Sequence, residues 1–197
     1  LEPLATIGAY ADWVLHELTN MGMSSFHLVG HSMGGMIAQE MAARTPDRIR
    51  RLVLYGTGPR GVLPGRFESI QTSKQRAVAD GARSTARRIA ATWFLQLDRA
   101  AAYEDCARIA ERSGIKAVLA GLDAMDLWDG TAHLSNLTAD TLVVWGDRDR
   151  TYPWDQTEQL WQSIQNASLA VVPNTAHACH LERPDLFNML LCDFLRE

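Results

Sequence analysis

The sequence predicts an α/β domain: a mostly parallel sheet flanked by helices, with a helical cap inserted between two of its strands. Three observations carry that expectation. Short apolar runs, most of them closed by glycine or proline, alternate with stretches of helical spacing toward both ends of the chain. The alternation stops across residues 61–139, a region rich in arginine and alanine with no strand pattern. The first apolar run opens directly into a glycine-framed serine and then a helix, "LVGHSMGGMIAQE" at 28–40.

Taken in order, "ATIGAYADWVLHELTNMG" (5–22) sets Ile7, Tyr10, Val14 and Leu18 at helical spacing, with Gly22 as the stop. "FHLVG" (26–30) reads as a buried strand, and "GGMIAQEMAARTP" (34–46) as a helix closed by Pro46. "IRRLVLYG" (49–56) is the second strand. "TGPRGVLPG" (57–65), with three glycines and two prolines, takes the chain out of the regular pattern. In the helical region that follows, "ATWFLQL" (91–97) and "AMDLWDG" (124–130) are the apolar and aromatic clusters. The rhythm resumes with "DTLVVWG" (140–146), "TEQLWQSI" (157–164), "SLAVVP" (168–173) and "RPDLFNMLLCDFL" (183–195). Pro184 stands at the favoured first position of the last helix. The expected organisation is a core part at 1–60, a helical cap at 61–139 and a second core part at 140–197. Strands alternating with helices bury both faces of a parallel sheet, and open sheets of this kind place their sites at the C-terminal strand edge, under such a cap.

A chain of 197 residues suffices for one domain with a real core. Its 47% hydrophobic and 21% charged residues are ordinary for a globular protein. A net charge of −4 offers no basic footprint for nucleic acid and no polybasic membrane patch. No apolar run approaches the roughly 18 residues that span a bilayer. Cys106, Cys179 and Cys192 are odd in number and widely spaced, which favours free thiols and a cytoplasmic setting over disulfides or zinc. Asp123, Asp126 and Asp129 recur every third residue without a histidine and read as a solvated helix face. No dinucleotide or phosphate-loop pattern is present, so neither metal nor cofactor is expected.

Gly30-His31-Ser32-Met33-Gly34 fits G-x-S-x-G between a strand and a helix, the context that the motif requires. A sharp turn there strains the serine, and it needs Gly30, Gly34 and Gly35 to be without side chains. It also aims the Met33 and Gly34 amides, with the positive end of the helix, toward the serine oxygen. A serine hydroxyl needs a base to be nucleophilic at neutral pH, and the base needs an acceptor to hold its tautomer. Asp147 and Asp149 follow the third strand, and His177 and His180 follow the fourth.

"LVGHSMGGMIAQEMAARTPDRIRRLVLYG", "TLVVWGDRDRTYP" and "VVPNTAHACHLERPDLF" together resemble the α/β-hydrolase superfamily, in its branch of small serine esterases and lactonases. The resemblance implies the chain order serine, acid, histidine. It puts the acid three residues after the strand-end glycine, at Asp149 ahead of Pro153. It puts the base at His177, in a pattern like P-x-x-x-H-x-x-H-L-E-x-P, with Ala176 where the family has glycine. Met33 N–H becomes one oxyanion donor. The family's second donor comes from a loop among strands that precede the first helix, and the chain as given begins inside that helix. The resemblance therefore implies a shortened fold whose first strand is an exposed edge, through which copies of the chain would associate. Serine rather than aspartate as nucleophile implies an acyl-enzyme, with a small carboxylic ester or lactone as substrate. Trp93, Phe94, Leu95, Met125, Leu127 and Trp128 are the expected walls of an apolar substrate pocket. Carbon–carbon bond hydrolysis and perhydrolysis use the same three groups, although in the carbon–carbon hydrolases asparagine usually stands where this chain has His31. A non-catalytic binding protein on this fold is the contrasting class.

Overall fold

A computed structural model describes residues 2–62, 64, 65 and 67–196; Leu63 and Arg66 of the expected cap region and both terminal residues lie outside the described residues. Helix α1 (Ile7–Asn20) starts where the Thr6 hydroxyl accepts the Ala9 N–H at 3.1 Å. It ends at Gly22, whose φ of 74° lets the Gly22 and Met23 amides turn back onto the Thr19 and Leu18 carbonyls. Strand β1 (Phe26–His31) leads into α2 (Met33–Arg44), and β2 (Ile49–Tyr55) follows. After the inserted helices come β3 (Asp140–Gly146), α6 (Trp154–Ser163), β4 (Ala167–Val172), the short α7 (Cys179–Glu182) and α8 (Pro184–Leu195).

Among the described residues four strands pair in parallel in the order β1-β2-β3-β4, with β1 at one edge of that sheet. Alternation along β2 shows why helices cover both faces. Leu52 and Leu54 pack with Ala11 and Leu15 of α1, Met41 of α2 and Leu160 of α6. Val53 and Tyr55 point the other way, against Phe187 of α8. Burying each such aliphatic side chain is worth about 1.5–3 kcal/mol, so one-residue slippage would invert the strand at prohibitive cost.

Between β2 and β3 lie α3 (Ile70–Thr92), α4 (Tyr103–Ala110) and α5 (Ile115–Asp126). The Ser69 hydroxyl caps α3 by accepting the Thr72 N–H at 3.0 Å, and Gly81, with φ of 83°, kinks it midway. The base of this excursion is closed by backbone bonds from Gly61 N–H to Trp128 C=O (2.9 Å) and from Gly130 N–H to Pro59 C=O (2.8 Å). Among the described residues no helix is long and apolar enough to cross a membrane.

Candidate active site

All strands run the same way, so the turns after β1, β3 and β4 open at one end of the sheet. The first of them carries Ser32, at φ 54° and ψ −124°, a conformation that costs a non-glycine residue about 1–3 kcal/mol. Its surroundings enforce it. Ser32 N–H donates to Tyr55 C=O at 3.2 Å, and the Thr57 hydroxyl donates to Ser32 C=O at 2.8 Å. A Cβ on Gly30 would lie 2.6 Å from Gly34 O, and one on Gly35 would lie 2.5 Å from Thr57. Gly34 corrects the sequence expectation: a Cβ there meets nothing within 4 Å, so this glycine is not required for the turn to close. The Met33 and Gly34 amides belong to the first turn of α2 and have no intrahelical acceptor, leaving them available to an anion at the helix end.

Asp149 sits in the turn after β3. One carboxylate oxygen accepts the backbone N–H groups of Thr151 (2.7 Å) and Tyr152 (3.1 Å). The other lies 2.8 Å from Nδ1 of His177, and both side chains are wholly inaccessible to solvent. Because the carboxylate is pinned by two amides, it presents a fixed acceptor that selects the Nδ1–H tautomer of His177. Nε2 of His177 is then the basic nitrogen; it is buried and has no hydrogen-bond partner among the described residues. Asp147, the other carboxylate of this turn, instead accepts Thr175 N–H at 3.3 Å and fastens the histidine loop.

Three aromatic groups surround His177. Tyr152 stacks on it with centroids 5.5 Å apart and planes 15° apart, His31 lies at 4.4 Å, and Trp93 of the inserted region lies at 6.0 Å. His31, the residue before Ser32, also donates Nε2–H to the His177 carbonyl at 3.1 Å, which ties the serine turn to the histidine loop. Burial, and then the neighbouring His177 and His180, hold the His31 imidazole well below its ordinary pKa, so it stays neutral. His180 shares a 2.5 Å hydrogen bond with the Tyr55 hydroxyl. Burial, with Asp149 nearby, pushes the Cys179 thiol up to about 12, which keeps it from acting as a thiolate.

Of the residues expected to wall a pocket, Trp93 has its ring against His177, whereas Phe94 is fully buried among Ala90, Tyr103, Ala107 and Ala178. Met125 and Trp128 pack with Met36, Leu122 and Tyr152, and the Trp128 indole donates to Glu40 at 2.9 Å. Leu127 is 77% exposed. On α5, Gly121 faces the Met33 side chain, whose sulfur would lie 3.8 Å from a Cβ at that glycine. Sequence reasoning missed Tyr152 and Thr57; nothing local marks either one, since each gains its place only through the fold. Among the described residues no cluster of three or more histidine, cysteine or acidic side chains could hold a metal ion.

The model of the alpha/beta hydrolase fold family matches residues 3–184. The chain belongs to that family. This hydrolase-fold chain is 28% identical over 195 residues to an Agrobacterium fabrum (strain C58) protein named as a carbamate hydrolase, covering 96% of this chain and 74% of the relative. It is 30% identical over 186 residues to the 2-hydroxy-6-oxo-6-phenylhexa-2,4-dienoate hydrolase of Comamonas testosteroni, covering 90% of this chain and 65% of that enzyme. The crystal structure of the enol-lactonase from Burkholderia xenovorans LB400 superimposes with a TM-score of 0.88 at 24% identity, over 98% of this chain and 74% of that one, a likeness of fold. As a hydrolase-fold member the protein is a hydrolase by family.

Proposed function

We propose that the protein is a serine hydrolase that cleaves a carboxylic ester or lactone through an acyl-enzyme. The observation that carries this reading is the buried Asp149–His177 pair, whose Nε2 has no partner among the described residues, with His31, the neighbour of a serine held at positive φ, packed on the His177 ring. Ser32 Oγ attacks the substrate carbonyl while Nε2 of His177 takes its proton, and Asp149 stabilises the imidazolium that results. The oxyanion lies at the N-terminus of α2, where Met33 N–H donates to it and the helix dipole favours its charge. The imidazolium then protonates the leaving oxygen. Water, deprotonated by the same nitrogen, attacks the acyl-serine and releases the acid. The inserted helices act as a cap, with Trp93 and Met33 on the walls of the substrate cleft. No metal or cofactor takes part.

A second reading, carbon–carbon bond hydrolysis of a 2-hydroxy-6-oxo-dienoate, is favoured by the Comamonas relative at 30% identity. Hydrolysis of p-nitrophenyl butyrate, a lactone panel and 2-hydroxy-6-oxo-6-phenylhexa-2,4-dienoate by the wild type and by Ser32→Ala separates these. The expected result is ester or lactone turnover that disappears in Ser32→Ala, with an acyl adduct on the wild type in intact-mass spectra. Turnover that survives the substitution would overturn the assignment of Ser32. Turnover of the dienoate alone would transfer the same three residues to the second reading.

A further inference from the structure

Three separate parts of the chain meet at one turn of the inserted region, Trp93-Phe94-Leu95. Ala178 N–H donates to Trp93 C=O at 2.9 Å, and the Arg150 guanidinium donates to Phe94 C=O at 2.9 Å and Leu95 C=O at 3.3 Å. Arg150 adjoins Asp149, and Ala178 adjoins His177. The fastening between the turn and the histidine loop is completed by Glu182. One of its carboxylate oxygens accepts Leu95 N–H at 2.7 Å, and the other accepts Ala176 N–H at 2.6 Å.

We infer that Glu182 is a positioning residue for His177, holding the imidazole in register with Asp149 and locking the inserted helices to the same loop. The inference rests on the triad reading above. Its physical basis is that Ala176 immediately precedes His177 and is fully buried, so its amide requires an acceptor. Bonds to an ionised carboxylate are roughly twice as strong as neutral ones, and each oxygen here serves one backbone amide on a different segment. The loop is also confined from below: a Cβ on Gly146 would lie 2.3 Å from Ala176 O, so the Ala176 peptide rests directly on the end of β3. Held from below by β3 and from the side by Glu182, the Ala176 peptide leaves His177 little freedom to swing away from Asp149. The same carboxylate makes any displacement of residues 93–95 felt at the base.

Imidazole ¹⁵N shifts read this directly, and they do so whether or not the chosen ester is a substrate. With ¹⁵N-histidine protein, and His177→Gln to assign the signal, the wild type is expected to show His177 as a single Nδ1–H tautomer. In Glu182→Ala the two nitrogen shifts move toward tautomer-averaged values, while Glu182→Gln, which retains one acceptor oxygen, lies between. Where ester turnover is measurable, kcat falls on the order of ten- to hundredfold in Glu182→Ala, with KM within about twofold, as misplacement of a catalytic group predicts. Glu182→Gln recovers part of that loss. Unchanged His177 shifts in both folded variants would overturn the inference, as would averaged shifts already present in the wild type. If Glu182→Ala does not fold, the Glu182→Gln shifts decide alone. An inactive wild type with the expected shifts would count against the ester reading and leave the positioning role standing.

Discussion

Gly30→Ala and Gly34→Ala form a matched pair, because both glycines belong to the same motif and only one is crowded. A methyl at residue 30 would sit 2.6 Å from Gly34 O, 2.7 Å from Gly35 Cα and 2.8 Å from Ala38 Cβ. Comfortable carbon contacts lie at about 3.5–4.0 Å, so β1 and α2 must separate by about 1 Å. Overpacking of that kind costs about 1–3 kcal/mol. At about 2–4 °C per kcal/mol for a chain of this size, the melting midpoint should fall by about 2–12 °C. The shift also displaces Ser32 from His177, and a misplacement of about 1 Å can lower kcat about a hundredfold. A methyl at residue 34 meets nothing within 4 Å, and alanine in place of a helical glycine gains about 0.5–1 kcal/mol, so that variant should melt at the wild-type temperature or above it. Differential scanning calorimetry of the two variants, with ester turnover of Gly30→Ala, is the assay. Equal midpoints for the two variants would refute the argument that backbone contact at residue 30 shapes the turn.

Asp149→Asn keeps an oxygen for the Thr151 and Tyr152 amides but turns an NH2 toward His177 and reverses its tautomer; kcat should drop on the order of a thousand- to ten-thousandfold, and a variant keeping a tenth of the activity would contradict the assigned role. Stability should also fall with acidification. His31 and His180 are both held below the ordinary histidine value, each chiefly by burial, so below about pH 6.5 the unfolded chain binds more protons than the folded one. The stability present above that pH is therefore lost as pH falls toward the folded-state values. A thermal-melt series from pH 7.5 to 5.5 should show this decline, with a shallower slope in His180→Gln; an identical slope would remove His180 from the account.

Local patterns carried much of the fold. The spacing of Ile7, Tyr10, Val14 and Leu18 marks α1, Gly22 marks its end, and Pro184 opens α8 at its first position. The serine turn was legible because its geometry demands a short signature. The choice of Asp149 over Asp147, by contrast, came from resemblance; in the structure it corresponds to which carboxylate reaches Nδ1 of His177 and which reaches Thr175 N–H. The role of Gly34 was misread because the motif does not record which glycine faces open space. The lengths of α3, α4 and α5 were not legible, since Arg- and Ala-rich sequence suits a helix nearly everywhere and only the kink at Gly81 and tertiary packing divide it. Tyr152 and Thr57 act on residues distant in sequence or through bends that no local pattern encodes, and Glu182, although it is the acid of the histidine-loop pattern, shows its hold on Leu95 and Ala176 only in the fold.

The complete enclosure of the Asp149 and His177 side chains bears on how protons are exchanged with the medium. On the acyl-enzyme reading proposed above, buffer molecules do not reach the imidazole, so a proton taken from the serine stays insulated from the bath while the first tetrahedral species lasts. It must be handed to the departing oxygen or returned to the serine. Added imidazole or phosphate should therefore neither accelerate nor short-circuit turnover.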